Sequence, residues 1–134
     1  MADLFVYGTL MTPAVMRAVI GRVPPHAPAV LAGYRRYGLR GRVYPVVVPE
    51  RGASVAGVLY TGLSPRELAR LDRYEDAFYR RVEVTVGDAA GRERPAWCYV
   101  LRPKARVRLA ARPWSHTHFE RTALRDYLAR LRRR

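Results

Sequence analysis

The sequence predicts an α+β fold in which a mostly antiparallel sheet rolls into a small barrel with flanking helices. Short apolar segments bounded by glycine or proline recur along the chain, as strands of such a sheet do. Only three segments have the three-and-four apolar spacing of amphipathic helices. The chain has 134 residues, which is the size of one compact domain, and no interior linker divides it. We therefore expect a single domain over residues 1–134.

The strand candidates follow one another through the first hundred residues. The first is the apolar run Leu4-Phe5-Val6-Tyr7, and Gly8 after it permits a tight turn into the next element. Three further candidates, each bounded by glycine or proline, cover residues 30–37, 44–48 and 55–60. Alternation of side chains over residues 81–86, a turn at 88–91 and an apolar run at 95–101 predict a hairpin.

Three helices are predicted from capping signals and apolar spacing. Thr12 followed by Pro13 is typical of a helix start, and this helix should run to about residue 20. Ser64, Pro65 and Glu67 form a capping-box pattern for a second helix that should end near residue 74. The third begins near Phe119 and should pack on the domain through an apolar stripe: Ala123, Leu124, Tyr127, Leu128 and Leu131.

The composition is strongly basic. The chain has 25 Lys+Arg against 11 Asp+Glu, a formal net charge of +14, and Lys104 is its only lysine. Such a surface attracts anionic ligands and polyanions whatever the fold is for. The basic residues are spread along the chain, so the charge alone does not define a function.

Several observations bear on the location of the protein. The single cysteine, Cys98, lies in an apolar run, which indicates a buried, inert thiol and no internal disulfide. The N-terminus carries no basic stretch with an apolar core after it, and no apolar run approaches the length of a membrane span. We therefore expect a cytoplasmic protein that neither enters nor crosses a membrane.

One carboxylate occupies an unusual position. Glu75 is spaced four residues after Leu71 and seven after Leu68, so on a continuing helix it shares their buried face. A half-buried carboxylate has a raised pKa and can exchange protons near neutrality, which is useful in catalysis. The alternative is that Glu75 pairs with Arg80 or Arg81 and only ties the helix to the next strand.

Two further features near Glu75 or the first strand have to be assigned either a functional or a structural role. Asp72 lies near the helix C-terminus, where we expect it to brace backbone or an arginine. The segment Tyr7-Gly8-Thr9-Leu10 lies between a strand and a helix, so its N–H groups are candidates for binding a carboxylate or phosphate. A simple glycine turn is the alternative for this segment.

Together these segments resemble a known family. Leu4-Phe5-Val6-Tyr7-Gly8-Thr9-Leu10 is similar to the N-terminal Tyr-Gly-Ser/Thr-Leu signature of γ-glutamylcyclotransferase-like proteins, also called AIG2-like. Leu71-Asp72-Arg73-Tyr74-Glu75, followed by Tyr79-Arg80-Arg81-Val82, resembles the second motif of that family. The resemblance covers about residues 4–100, and the helical tail beyond residue 101 carries no motif that aligns.

The resemblance implies a fold and an activity. The fold is a small mixed barrel with flanking helices and a cavity at one end. The activity is cyclisation of a γ-glutamyl amine or γ-glutamyl amino acid to 5-oxoproline with release of the amine, without metal or cofactor. The family's catalytic glutamate corresponds to Glu75, and its substrate-binding loop to Tyr7, Gly8, Thr9 and Leu10. Tyr79 is a candidate for the cavity wall, with a core tyrosine at a strand edge as the alternative.

Other functions stay open at this point. An arginine-rich nucleic-acid-binding module is one alternative, although any such binding should come from non-specific charge because no recognition motif appears. A non-catalytic small-molecule-binding member of the same fold is another. His116 and His118 lack a third ligand for a metal, and we expect no metal site there. The sequence names neither the leaving amine nor the oligomeric state.

Overall fold

The computed structural model of the protein describes residues 1–75, 77–110 and 112–133. It contains five strands: β1 (Ala2–Val6), β2 (His26–Gly38), β3 (Pro45–Leu63), β4 (Tyr79–Gly87) and β5 (Glu93–Leu101). It contains four α-helices: α1 (Pro13–Ile20), α2 (Pro65–Tyr74), α3 (His116–Thr122) and α4 (Leu124–Arg132). Two 3₁₀ turns, Thr9–Met11 and Pro103–Arg108, complete the described elements.

The strands close into a barrel in the order β1-β3-β2-β4-β5. All neighbouring strands are antiparallel except β1 and β5, which pair in parallel through Leu4 and Trp97. Closure requires a close approach of β1 to β3 at Gly57, because a Cβ built there would lie 2.2 Å from the carbonyl oxygen of Val6. The predicted α+β fold with a small mixed, mostly antiparallel barrel is confirmed.

The strands differ from the prediction mainly at β3, although β2 also begins at His26, four residues before its predicted start. The segments predicted as separate strands at 44–48 and 55–60 are parts of one strand, β3. Ala32 pairs with Ser54 and Tyr34 with Pro49, so one residue of β2 lies opposite four residues of β3. Gly33 has a φ of 81°, which permits this bulge. The proline and glycine that indicated a strand end therefore mark an irregularity inside a strand.

The first two helices begin as the sequence predicts. Thr12 and Pro13 lie at the N-cap and first position of α1. The Ser64 hydroxyl accepts a hydrogen bond from the Glu67 N–H, and the Glu67 carboxylate accepts one from the Ser64 N–H, which completes the capping box of α2. The end of α2 at Tyr74 also agrees with the prediction.

The single C-terminal helix predicted from residue 119 is instead a pair of short helices. The chain leaves helical geometry at Ala123, where α3 ends and α4 begins. The apolar stripe of α4 packs against the core, as expected, but its residues remain half-buried: Leu124, Tyr127, Leu128 and Leu131. Burial of this stripe stabilises the helix pair on the barrel, since helices this short are not stable alone.

The helix pair is also held by a polar cluster. The buried Thr12 hydroxyl lies 2.8 Å from the His116 Nε2 and donates to the Glu120 carboxylate at 2.9 Å. His118 is exposed at the start of α3, where the Ser115 hydroxyl accepts a hydrogen bond from its backbone N–H. The His116 side chain thus connects α3 to Thr12, and the His118 N–H takes part in the cap of α3.

The core fills the barrel and extends beneath the helices. Leu4, Phe5, Tyr60 and Leu63 are completely buried, and the predicted burial of the Cys98 thiol is confirmed. No helix among the described residues is long and apolar enough to cross a membrane.

Candidate active site

A cavity of about 470 Å³ lies where β1 ends and β3 and β4 begin. Its volume is suited to a small organic molecule. All six residues that the sequence analysis named for the site line this one cavity: Tyr7, Gly8, Thr9, Leu10, Glu75 and Tyr79. Residues more than sixty positions apart in the chain therefore meet around one space.

The loop after β1 is held by hydrogen bonds to its carbonyl groups. The Tyr7 carbonyl accepts from Arg36 at 2.9 Å. The Gly8 carbonyl accepts from the Met11 N–H at 3.0 Å, which closes the 3₁₀ turn. The Tyr60 hydroxyl donates to the Leu10 carbonyl at 2.9 Å. The first N–H groups of such a turn have no acceptor within the turn itself, so they are suited to an anion.

Gly8 is required by the packing of this loop. A Cβ at position 8 would lie 2.7 Å from Cδ and 2.9 Å from Cγ of Pro45. Such distances are too short for two carbon atoms, so any larger residue displaces the proline ring. The loop and the first residue of β3 are thus fitted to each other.

Glu75 lines the cavity at the end of α2. Its N–H donates to the Leu71 carbonyl at 2.9 Å, yet its own backbone is extended, with φ −68° and ψ 143°. It is therefore the residue that caps the helix rather than a member of its last turn. Leu68 and Leu71 are buried, as predicted, and Glu75 is half-buried beside the cavity.

The charge of Glu75 acts on several groups around the cavity. Burial is the main reason that the pKa values of Tyr7, Tyr74 and Tyr79 lie well above the usual range, and the negative charge of Glu75 raises all three further. Burial and then the charge of Glu75 also raise the pKa of the Cys98 thiol. These groups therefore stay protonated near neutral pH.

Asp72 has the bracing role that the sequence predicts. Its carboxylate accepts from Arg81 at 2.8 and 3.2 Å and from the Tyr99 hydroxyl at 2.6 Å. Burial works to raise the pKa of Asp72, but the hydrogen bonds from Arg81 and Tyr99 together outweigh it, so the pKa is lowered. Arg81, one of the partners considered for Glu75, is thus an ion-pair partner of Asp72.

Tyr79 is both a core residue and a cavity residue. It is the first residue of β4, it is buried, and it also lines the cavity. Its hydroxyl donates to the Pro45 carbonyl at 2.5 Å. This bond holds Tyr79 beside the residue that packs against Gly8.

The sequence analysis missed the part of the wall that comes from the C-terminal tail. Tyr127 of α4 lines the cavity, and its hydroxyl contacts the hydroxyl of Tyr74. The Tyr74 hydroxyl also lies 3.0 Å from the Thr9 hydroxyl. This hydroxyl cluster, Thr9-Tyr74-Tyr127, joins the loop, the end of α2 and α4. The only sequence signal was the place of Tyr127 on the apolar stripe.

Other cavity residues also escaped prediction. Tyrosine and arginine dominate this group: Arg42, Tyr44, Arg73, Tyr74, Tyr99 and Arg130. Nothing in the sequence indicated that Tyr44 lines a cavity. A wall of neutral phenols around one carboxylate, with arginines at its edge, is suited to a zwitterionic or anionic small molecule.

The closed mixed barrel is shared by solved structures of other proteins. A solved structure described as gamma-glutamyl cyclotransferase has a TM-score of 0.67 to this chain at 17% sequence identity and covers 98% of this chain and 86% of its own. The solution structure of an Arabidopsis thaliana protein has a TM-score of 0.75 at 31% identity and covers 98% of this chain and 80% of its own. These likenesses agree with the fold described above.

Residues 4–116 match the family described as gamma-glutamyl cyclotransferase, AIG2-like, and the chain belongs to this family. The match confirms the resemblance and extends past the limit of about residue 100. AIG2-like protein C of Arabidopsis thaliana is 44% identical over 90 residues, which are 66% of this chain and 52% of that relative. The chain thus spans about half the length of this relative.

The hydroxyl cluster can be tested by a double-mutant cycle. Tyr74→Phe and Tyr127→Phe each keep the ring and remove a hydroxyl, so each should lower the free energy of unfolding by about 0.5–1.5 kcal/mol. The double variant should lose clearly less than the sum, because both changes remove the same contact. Urea unfolding gives the free energy of unfolding of wild type, the two single variants and the double variant. Tyr37→Phe, whose hydroxyl bonds Glu50 instead, is the control that should add to Tyr127→Phe. Additive losses for Tyr74 and Tyr127 would contradict the cluster.

The brace at Asp72 should make stability depend on pH in a defined direction. The pKa of Asp72 is lowered in the folded protein, so the stability it contributes is present above the unfolded value of about 3.9 and is lost as the pH falls through the folded value. We expect wild type to exceed Asp72→Asn in free energy of unfolding at pH 7, and the difference to shrink below about pH 4. Denaturant titrations at a series of pH values measure it. A difference that stays constant down to acid pH would rule out the ionised brace.

Proposed function

We propose that the protein is a cofactor-independent γ-glutamyl cyclotransferase-like enzyme with Glu75 as its general base and acid. Its substrate would be a γ-glutamyl amine or γ-glutamyl amino acid, and its products 5-oxoproline and the free amine. The observation that carries the proposal is that Glu75 and the loop Tyr7-Gly8-Thr9-Leu10 line the same cavity. Membership of the family supports the reaction class.

The reaction needs little more than a folded substrate and a proton carrier. A γ-glutamyl compound contains its own nucleophile, the α-amine, within reach of its γ-carbonyl carbon. Attack forms the C–N bond of the five-membered lactam, and collapse of the tetrahedral intermediate breaks the bond to the leaving nitrogen. Holding the chain in the bent conformation is a large part of the catalytic task. A cavity of about 470 Å³ with ordered walls is suited to it.

Glu75 would move the protons. The α-ammonium group loses two protons on its way to the lactam N–H, and the leaving nitrogen gains two on its way to an ammonium, so no net proton is exchanged. A carboxylate between the two nitrogens can accept a proton from the first and deliver it to the second. The half-buried position of Glu75 limits competition from bulk water.

The loop and the tyrosines would bind and orient the substrate. The first N–H groups of the 3₁₀ turn at Thr9–Met11 are suited to the substrate carboxylate or to the oxyanion that develops on the γ-carbonyl. The buried Tyr7 and Tyr79 hydroxyls donate to backbone carbonyls, so their rings offer rigid apolar walls. The Thr9 hydroxyl lies 3.0 Å from the hydroxyl of Tyr74, the residue before Glu75, and both residues line the cavity.

The direct test is release of 5-oxoproline by the purified protein. A panel of γ-glutamyl amino acids, γ-glutamylamines and γ-glutamyl-lysine isopeptide supplies the substrates, and chromatography with mass detection measures the product. Glu75→Gln keeps the shape of the side chain but cannot accept a proton, so it should lower kcat about 10²–10⁴-fold. Its thermal unfolding should stay close to that of wild type.

Glu83→Gln is the matched control, because Glu83 is exposed on β4 and does not line the cavity. It should keep full activity. Undiminished turnover in Glu75→Gln would refute the role of Glu75, and binding of γ-glutamyl compounds without turnover in wild type would favour a non-catalytic binding protein.

A further inference from the structure

The edge of the cavity is positively charged. Arg42, Arg73 and Arg130 all line it together with Glu75. The Nε of Arg42 donates to the Tyr44 hydroxyl at 2.9 Å, and its Nη1 donates to the Gly41 carbonyl at 3.1 Å. Within residues 1–75, 77–110 and 112–133, Arg73 and Arg130 make no ion pair or side-chain hydrogen bond. Both side chains are exposed, so their donors are available where the cavity meets solvent.

The two arginines come from different helices to the same opening. Arg73 directly precedes Tyr74, and Arg130 lies three residues after Tyr127, on the same face of α4. The contact between the Tyr74 and Tyr127 hydroxyls joins the two helices at this point. Each arginine also lies in the last turn of its helix, where positive charge is favoured. That preference explains why an arginine lies in the last turn of each helix, but it does not explain why both arginines line one cavity.

We propose that Arg73 and Arg130 form an anion subsite for a carboxylate on the leaving group of the substrate. The inference rests on the proposed function. Burial sets the direction of the ligand, because Thr9 and Leu10 are buried whereas the two arginines are exposed to solvent. The glutamyl part, which must meet the loop and Glu75, takes the buried side. The leaving group then extends towards the guanidinium groups.

The subsite defines a substrate class. Guanidinium groups bind carboxylates in paired, planar hydrogen bonds and repel ammonium groups. The preferred substrates are therefore γ-glutamyl amino acids or peptides with a free carboxylate on the released part. γ-Glutamyl polyamines, whose released part is a cation, are disfavoured. The preference should weaken with added salt, since the arginines are exposed.

Two compounds that differ in one group test the subsite: γ-glutamyl-alanine and γ-glutamyl-alaninamide. Wild type should turn over the acid with a kcat/KM about tenfold above that of the amide, mainly through KM. Arg73→Gln with Arg130→Gln should abolish the preference, so that the acid and the amide have about the same kcat/KM. Arg132→Gln, an exposed arginine of the same last turn that does not line the cavity, should keep the preference.

The outcomes separate the subsite from the reaction. Equal kcat/KM for acid and amide in wild type overturns the subsite and leaves the cyclotransferase intact. If neither compound is turned over, the panel of γ-glutamyl compounds described above tests the proposed function, and calorimetric titration of the two alanine compounds into the protein decides the subsite alone. Tighter binding of the acid that is lost in the double variant supports it. Equal binding of the two, or none, overturns it.

Discussion

The site depends on how α2 ends. The Glu75 N–H still bonds the Leu71 carbonyl, but the backbone of Glu75 is extended and the residue lines the cavity. The residue before it, Tyr74, is fixed by the hydroxyls of Thr9 and Tyr127. Because Glu75 directly follows Tyr74, holding Tyr74 also limits where the backbone of Glu75 can lie. The loop, the helix end and the tail thus constrain the backbone that carries the Glu75 side chain.

The barrel supplies a wall that is rigid and uncharged. Three buried tyrosine hydroxyls donate to backbone carbonyls: Tyr7 to Tyr99, Tyr60 to Leu10, and Tyr79 to Pro45. Satisfied hydroxyls in a core hold their rings in single orientations and cost little to bury. Tyr7 and Tyr79, held in this way, form a fixed side of the cavity that Glu75 also lines.

Local signals predicted the parts of the site that neighbouring residues determine. The capping box at Ser64 and the stripe of Leu68 and Leu71 located α2, and the glycine after β1 located the loop. Contacts between distant segments were not predictable in this way. An apolar stripe indicates that Tyr127 is buried but not that it meets Tyr74, and Gly33 did not indicate that β3 continues past its bulge. Such features depend on three-dimensional packing, which spacing along one segment does not encode.

Part of the large positive charge has structural roles. Several basic side chains pair with carboxylates: Arg22, Arg35, Arg81 and Arg94. Arg36 holds the loop by donating to the Tyr7 carbonyl.

If the loop and Glu75 bind one small molecule together, both should respond to the same ligand. The most direct measurement is titration of 5-oxoproline into ¹⁵N-labelled protein by NMR. We expect the amides of Gly8, Thr9, Leu10 and Glu75 to shift together along one binding curve. Shifts confined to arginines outside the cavity, or none at millimolar ligand, would contradict it.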